Sequence, residues 1–402
     1  MKFWIDTSAV ARAEWLFALP PIERLRRSVP ALLQSMPVVL SGTATVCATW
    51  PAAVVDVDAS ALGTRLRKAL ANGPLVALDG ANVVDSRLID VLAKEGPSCV
   101  ASRGEGAQRA VVLRLAPEVA DAIPPDAADL CAVADALVAA DRIMPLSDAE
   151  FPAYINKLRR SLPYWIYAVN DATTRKRLER QMFWDNYKGS TDLLTRYVYP
   201  PIVWPLVHFC VRWGIHPNVV TVLSVILAFA AVPLFMHGDF FFGFLCAYVM
   251  SVLDSVDGKL ARLTLTSSKI GDILDHGLDQ VHPPFWYFAF GWGLGGRSMD
   301  DALYAAAIWL IVFYVADRLV LGVAKRRLGF TLHAATPLDG LVRSFIARRN
   351  ITMTIMAASL LVGQGAAGLY IITAWQGLTF AWHGARTLWL GFIVRDTVRP
   401  TA

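Results

Sequence analysis

Asp254-Ser-Val-Asp257-Gly258-Lys-Leu-Ala261-Arg262, followed after eight residues by Gly271-Asp-Ile-Leu-Asp275-His-Gly-Leu-Asp279, decides how this chain is read. The stretch lies among long apolar runs, yet Asp254, Asp257, Asp275 and Asp279 recur through it at steps of three and four residues. On a helix, Asp254, Asp257, Gly258, Ala261 and Arg262 share one face, and Gly271, Asp275 and Asp279 share a face of a second helix. As neighbours joined by a turn over 263–270, the two helices bring the four acids together. Carboxylates crowded into a low-dielectric site cannot all stay ionised without compensating cations, so the pattern predicts bound divalent metal. Oxygen ligands specify a hard ion, Mg2+ or Mn2+. His276 and His282 lie close by in sequence but are second-choice ligands for such an ion.

Working outward, 402 residues suffice for two domains. With 55% hydrophobic and only 18% charged residues, part of the chain is expected in a bilayer. The net charge of +5 is modest, and its Lys and Arg cluster beside apolar spans. That placement reads as membrane topology and phosphate contact, not nucleic-acid binding. The five cysteines, including Cys47, form no CxxC pair and give no zinc or disulfide signal. Met1 to Asp6 lacks the basic and apolar pattern of a cleaved signal, so the N-terminal half is expected to be cytoplasmic.

Residues 1–150 read as a soluble α/β unit. Apolar runs at 38–40, 53–57, 75–78 and 110–115 have strand length, with helix-length segments between them, which suggests a mostly parallel sheet covered by helices. Residues 151–216 read as a basic linker with juxtamembrane helices, carrying Lys157, Trp165 and Trp184 toward an anionic leaflet. A solvated helical linker fits that segment equally well. Residues 217–402 form the membrane domain, with six spans expected at about 218–237, 239–262, 269–293, 301–324, 348–364 and 367–392. Positive charge concentrates in the connections after the second and fourth spans, which places the Asp cluster and both termini on the cytoplasmic side of a bacterial-type inner membrane.

Asp254-x2-Asp257-Gly258-x2-Ala261-Arg262-x8-Gly271-x3-Asp275-x3-Asp279 resembles the complete signature of the CDP-alcohol phosphotransferases, membrane enzymes of phospholipid and inositol-phosphate synthesis. Pro217-Asn218-x2-Thr221 and Lys188-Gly-Ser-Thr-Asp192-x3-Arg196 are similar to that family as well. The resemblance implies a six-helix homodimer with two divalent ions per site, held by Asp254, Asp257, Asp275 and Asp279. It implies that Asp279 is the general base for the acceptor hydroxyl, that the donor is a CDP-alcohol and that CMP leaves. Gly258, Ala261, Arg262, Gly271 and Thr221 would border the CDP moiety. Arg318, Arg343, Arg348 and Arg349 are candidates for a phosphate on acceptor or donor, although Arg318 beside Asp317 can equally be a paired intramembrane charge and the others topology determinants.

The N-terminal unit resembles the sugar-nucleotidyltransferase fold at Leu78-Asp79-Gly80-Ala-Asn-Val-Val-Asp85. Residues 1–35 lack the Gly-rich basic loop that cradles a triphosphate, so a degenerate domain is expected, with Asp79 and Asp85 as turn and cap residues. Two alternatives remain: a bifunctional enzyme that also makes its CDP-alcohol from CTP, and a divalent-cation transporter.

Overall fold

The computed structural model describes residues 1–28, 36–42, 53–147, 151–155, 158, 160–187 and 192–393, without the side chains of residues 269, 270, 272–276, 278, 279 and 393. Cys47, Lys157 and residues 188–191 of the sequence reading lie outside the described residues, as do the side chains of Asp275, His276 and Asp279. The chain divides into two compact units, 1–155 with 161–185 and 156–160 with 186–402. The first unit therefore extends to Asp185, past the boundary expected near residue 150.

In the first unit, strands β1 (Lys2–Asp6), β2 (Val38–Ser41), β3 (Val54–Asp56), β4 (Leu75–Asp79), β5 (Asn82–Val84), β6 (Cys99–Arg103), β7 (Ala110–Leu115) and β8 (Met144–Pro145) alternate with helices α1 (Pro21–Ser28), α2 (Leu62–Leu70), α3 (Ser86–Leu92) and α4 (Leu130–Ala139). Seven of the strands form one sheet in the order β3-β2-β1-β4-β7-β6-β8. β1 is parallel to both β2 and β4, and β7 runs antiparallel to its two neighbours. Two-residue strands β9 (Tyr154–Ile155) and β10 (Arg160–Ser161) follow, then β11 (Ile166–Ala168), which pairs with β5, and helix α5 (Ala172–Asp185).

Alternation along β1 builds both sides of the sheet. Phe3 and Ile5 join the core that holds Leu25 of α1 and Leu88 of α3, while Trp4 joins the opposite core with Leu66 of α2 and Leu137 of α4. The strands expected at 38–40, 53–57, 75–78 and 110–115 are present. β1, an interior strand next to the central β4, has no counterpart among the strands expected from the sequence.

Strand order reverses at β1, so the crevice beyond the carboxyl ends of β1 and β4 is where an open sheet of this kind offers a ligand site. Here the chain's own side chains occupy it. Arg65 donates to Asp6 Oδ1 and Ser8 Oγ at 3.1 Å and to Ser41 Oγ at 2.8 Å. A Cβ on Gly80 would meet Val10 and the Asp6 carbonyl, so the loop after β1 closes onto the loop after β4. Asp79 accepts the Ala81 amide and Asp85 caps α3 through the Arg87 amide, the turn and cap roles expected of them.

Burial pushes the Asp79 carboxyl up to about 6; the Ala81 hydrogen bond opposes this and the nearby Asp6 adds to it. A carboxyl with a raised folded-state pKa costs stability above that pKa and nothing below its unfolded value. Asp79→Asn is therefore expected to stabilise the β4 region by up to about 3 kcal/mol at pH 7.5, the gain shrinking as pH falls toward 4. Hydrogen exchange of the β4 amides in the full-length protein measures this, and a gain independent of pH would contradict it.

The second unit is helical: α6 (Pro200–Arg212), α7 (Pro217–His237), α8 (Phe240–Leu263), α9 (Lys269–Leu294), α10 (Ala302–Leu328), α11 (Pro337–Val342), α12 (Arg349–Leu361) and α13 (Gly365–Leu388). A helix stands at each of the six expected span positions. α7, α8 and α10 are long and apolar enough to cross a membrane. α12 has only 13 residues, about 20 Å of helix against a hydrocarbon core of about 30 Å, and is shorter than the expected 348–364.

α7 packs against both α8 and α9. Phe235 of α7 is 1% exposed and stands edge-on to Phe244 of α8 at 5.0 Å and to Phe290 of α9 at 6.0 Å. Gly243 and Gly293 make room for it: a Cβ on the first would overlap the Phe235 ring, and one on the second its carbonyl. This aromatic wedge joins the start of α8 to the end of α9, so the two helices run antiparallel and their charged ends meet at the other pole.

Candidate functional site

At that pole, a short turn links α8 to α9. Leu265 adopts φ +54°, a left-handed conformation costly for a non-glycine residue, and Ser268 caps α9 by accepting the Gly271 amide at 2.9 Å. The first turn of α7 supports both charged ends. Thr221 Oγ1 donates to Asp257 Oδ2 at 2.6 Å, and a Cβ on Gly271 would stand 3.1 Å from Asn218 Oδ1. Asp257 is 3% exposed, and Thr221 orients its carboxylate from one layer behind the site.

Asp254, one turn earlier on α8, faces a cavity of about 520 Å³. The start of α12 closes one side of this cavity: Arg349 donates to Asp254 Oδ2 at 2.8 Å, Arg348 stands 3.5 Å from Asp192 Oδ2, and Asn350 donates to Asp192 and Thr195. Burial opposes ionisation of Asp192, but Arg348 and the hydrogen bonds from Thr195 and Asn350 outweigh it and hold its pKa below the ordinary carboxylate value. On α8, Arg262 Nε donates to Asn186 Oδ1 at 3.2 Å, and Lys259 Nζ lies 3.6 Å from the centre of the Tyr187 ring.

Among the described residues the lining carries seven cations, Lys259, Arg262, Arg318, Lys325, Arg343, Arg348 and Arg349, against two carboxylates, Asp192 and Asp254. The structure thus brings Asp254, Gly258 and Arg262 of the motif together with all four candidate arginines. Arg318 also stands 3.4 Å from Asp317, so it is both a paired intramembrane charge and part of the cavity wall. Lys259, Lys325, Asn186 and Asn350 were not singled out in the sequence. The positive-inside bias flagged the region of Lys259 and Lys325 without saying that they face a cavity, and the two asparagines give no local signal.

The donor set fits a hard divalent ion, since Asp254 and Asp257 present carboxylate oxygens one turn apart. Among the described residues no group of three His, Cys, Asp or Glu side chains is close enough to hold a metal. Asp275 and Asp279 stand on α9, across the turn from this pair, with side chains outside the described residues. A cavity so rich in cations next to carboxylates suited to metal takes a polyanion such as a diphosphate.

Residues 214–385, within this apolar helical bundle, match the family model described as CDP-alcohol phosphatidyltransferase, so the helical unit carries a domain of that family. Phosphatidylinositol phosphate synthase of Mycobacteroides abscessus is 32% identical over 110 residues, 26% of this chain and 50% of that protein. The enzyme of the same name from Streptomyces avermitilis is 27% identical over 184 residues, 46% of this chain and 70% of its own length. The chain thus spans about half the length of the first of these curated relatives. Crystal structures of Mycobacterium tuberculosis phosphatidylinositol phosphate synthase, one with CDP-DAG bound and one with manganese and citrate, are 19% identical with TM-scores of 0.40. They cover 50% and 49% of this chain and 99% and 93% of their own.

Because Thr221 orients a buried carboxylate from behind, Thr221→Val is expected to weaken divalent-cation binding about tenfold or more, as loss of a supporting hydrogen bond does at metal sites. Mn2+ titration followed by electron paramagnetic resonance reads this, and an unchanged affinity would remove Thr221 from the site.

Proposed function

We propose that the chain is an integral membrane CDP-alcohol phosphotransferase, moving a phospho-alcohol from a CDP-alcohol to an acceptor hydroxyl with release of CMP. One observation carries the proposal: the Asp254 to Arg262 face opens onto a cavity whose other walls bring Arg318, Arg343, Arg348 and Arg349 together. The relatives' name, phosphatidylinositol phosphate synthase, supports a lipid-bearing CDP-alcohol such as CDP-diacylglycerol as donor and, with the excess of cations among the described residues of the cavity wall, a phosphorylated polyol such as an inositol phosphate as acceptor.

Asp254, Asp257, Asp275 and Asp279 would hold two divalent ions, Mg2+ or Mn2+. When bound, these neutralise the diphosphate and stabilise the charge on the departing CMP. Gly258 leaves the α8 surface open to the nucleotide, with Ala261 and Gly271 bordering it, while Arg262 holds the diphosphate. Asp279 accepts the proton of the acceptor hydroxyl as its oxygen bonds to the phosphorus bearing the alcohol, and the bond from that phosphorus to the CMP oxygen breaks. The arginines across the cavity hold the acceptor's own phosphate.

Six crossings, a homodimeric assembly, and a site and termini facing the cytoplasm complete this reading; α7, α8 and α10 are long and apolar enough to cross, and the charge of the connections supports the orientation, while the 13-residue α12 would need a thinned bilayer or flanking residues to span. The N-terminal unit is a degenerate nucleotidyltransferase-like domain. Its crevice, filled by Arg65, Asp6, Ser8 and Ser41, disfavours synthesis of the CDP-alcohol there. The seven cations among the described residues of the cavity wall likewise disfavour passage of divalent cations.

With CDP-diacylglycerol, inositol 1-phosphate and Mg2+, purified full-length protein is expected to release CMP, and chelation of the metal is expected to stop it. Asp279→Asn is expected to lower the rate by about 10²- to 10⁴-fold. Equal CMP release by that variant would refute Asp279 as base, and release that persists in chelator would refute the metal site.

A further inference from the structure

Behind the part of the cavity wall formed by Arg318 lies a buried carboxylate–imidazole pair that the reaction above does not use. Asp317 on α10 is fully buried, and His383 on α13 is 1% exposed. The His383 Nδ1–H donates to Asp317 Oδ1 at 2.5 Å. The second carboxylate oxygen, Oδ2, has no hydrogen-bond partner among the described residues, and the Arg318 guanidinium stands 3.4 Å from it. Arg318 then runs over the Tyr314 ring, 5.0 Å from its centre, to the cavity. On the far side the His383 ring packs edge-on against His333, itself part of the wall, at 5.1 Å.

An apolar pair of similar volume would join α10 to α13 without the cost of burying two ionisable groups. What an apolar pair cannot provide is a fixed negative charge beside Arg318. His383 engages one oxygen and thereby turns the other toward the guanidinium. The cation is held by its own neighbour in sequence, which a helix alone would point about 100° away.

We propose that Asp317 and His383 are positioning residues that hold the Arg318 guanidinium in place to bind a phosphate, so that the acceptor half of the cavity selects a phosphorylated alcohol over a neutral one. This rests on the phosphotransferase reading of the cavity and assigns the buried pair a part in it.

The test uses full-length protein in detergent micelles with inorganic phosphate as probe, binding being measured by calorimetry, and with Mg2+-dependent CMP binding as the check on folding. Asp317→Asn and His383→Leu are each expected to weaken phosphate binding about tenfold, and Arg318→Gln at least as much. The double variant Asp317→Asn with Arg318→Gln is expected to bind no worse than Arg318→Gln alone, and His383→Asn, whose amide can replace the Nδ1 donor, to restore most of the affinity. Phosphate binding unchanged in Asp317→Asn, losses that multiply in the double variant, or a wild type that binds no phosphate would each overturn the proposal. So would parallel loss of CMP binding, which would make the pair a support of the fold. A wild type that binds phosphate but releases no CMP from CDP-diacylglycerol would count against the phosphotransferase reading and not against the positioning role.

Discussion

Carboxylates at the end of an apolar helix bundle must be compensated, and most of the second unit answers to that requirement. α8 is predominantly apolar up to Leu253 and then presents Asp254 and Asp257 within one turn. An uncompensated charge there would cost several kcal/mol. The chain supplies partners from three other segments: Thr221 from α7, Arg349 from α12, and Asn186 for the Arg262 that completes the face. The aromatic wedge around Phe235 fixes the opposite pole, so the antiparallel register of α8 and α9 is set far from the charges and delivered to them by the rigidity of the helices.

How much of this the sequence reveals follows from the range of each interaction. Spacing along one helix is local, so the shared face of Asp254, Asp257, Gly258 and Arg262 can be read directly, as can the strands at 75–79 and 110–115. Hydropathy locates helices well but measures them poorly. α12 ends at Leu361 because Gly363 and Gln364 break it, and a hydropathy window runs through that break to α13. Long-range partners leave no local trace. Arg349 meets Asp254 across 95 residues, Asn350 meets Asp192 across 158, and His383 meets Asp317 across 66. β1 escapes notice for another reason: it is only five residues long, and with Trp4 committed to the face opposite Phe3 and Ile5 both faces are apolar, so no polar alternation marks it.

In the first unit the two cores and the crevice of the sheet answer to different side chains. Phe3, Ile5 and Trp4 still serve two cores, which is what the sheet needs to stand. At the point of strand reversal, however, Arg65 satisfies Asp6 from within, and Gly80 admits Val10 where an open crevice would admit a ligand. Asp79 is buried near a second acid, and that burial raises its pKa above the ordinary carboxylate value. The strain sits where an open sheet would place a ligand, and the remaining structure pays for it with two well-packed faces.

The two halves of the cavity are coupled through one tyrosine. Pro283 and Pro284 lack the N–H groups that would bond the carbonyls of Asp279 and Gln280, so the turn of α9 that carries the proposed base lacks two helix hydrogen bonds. Tyr314 of α10 answers one of those carbonyls, its hydroxyl donating to the Gln280 oxygen at 3.2 Å. The same ring carries Arg318 at 5.0 Å and packs edge-on against Tyr287 of α9 at 5.9 Å. The turn that presents the base and the cation proposed for the acceptor phosphate therefore share a single support.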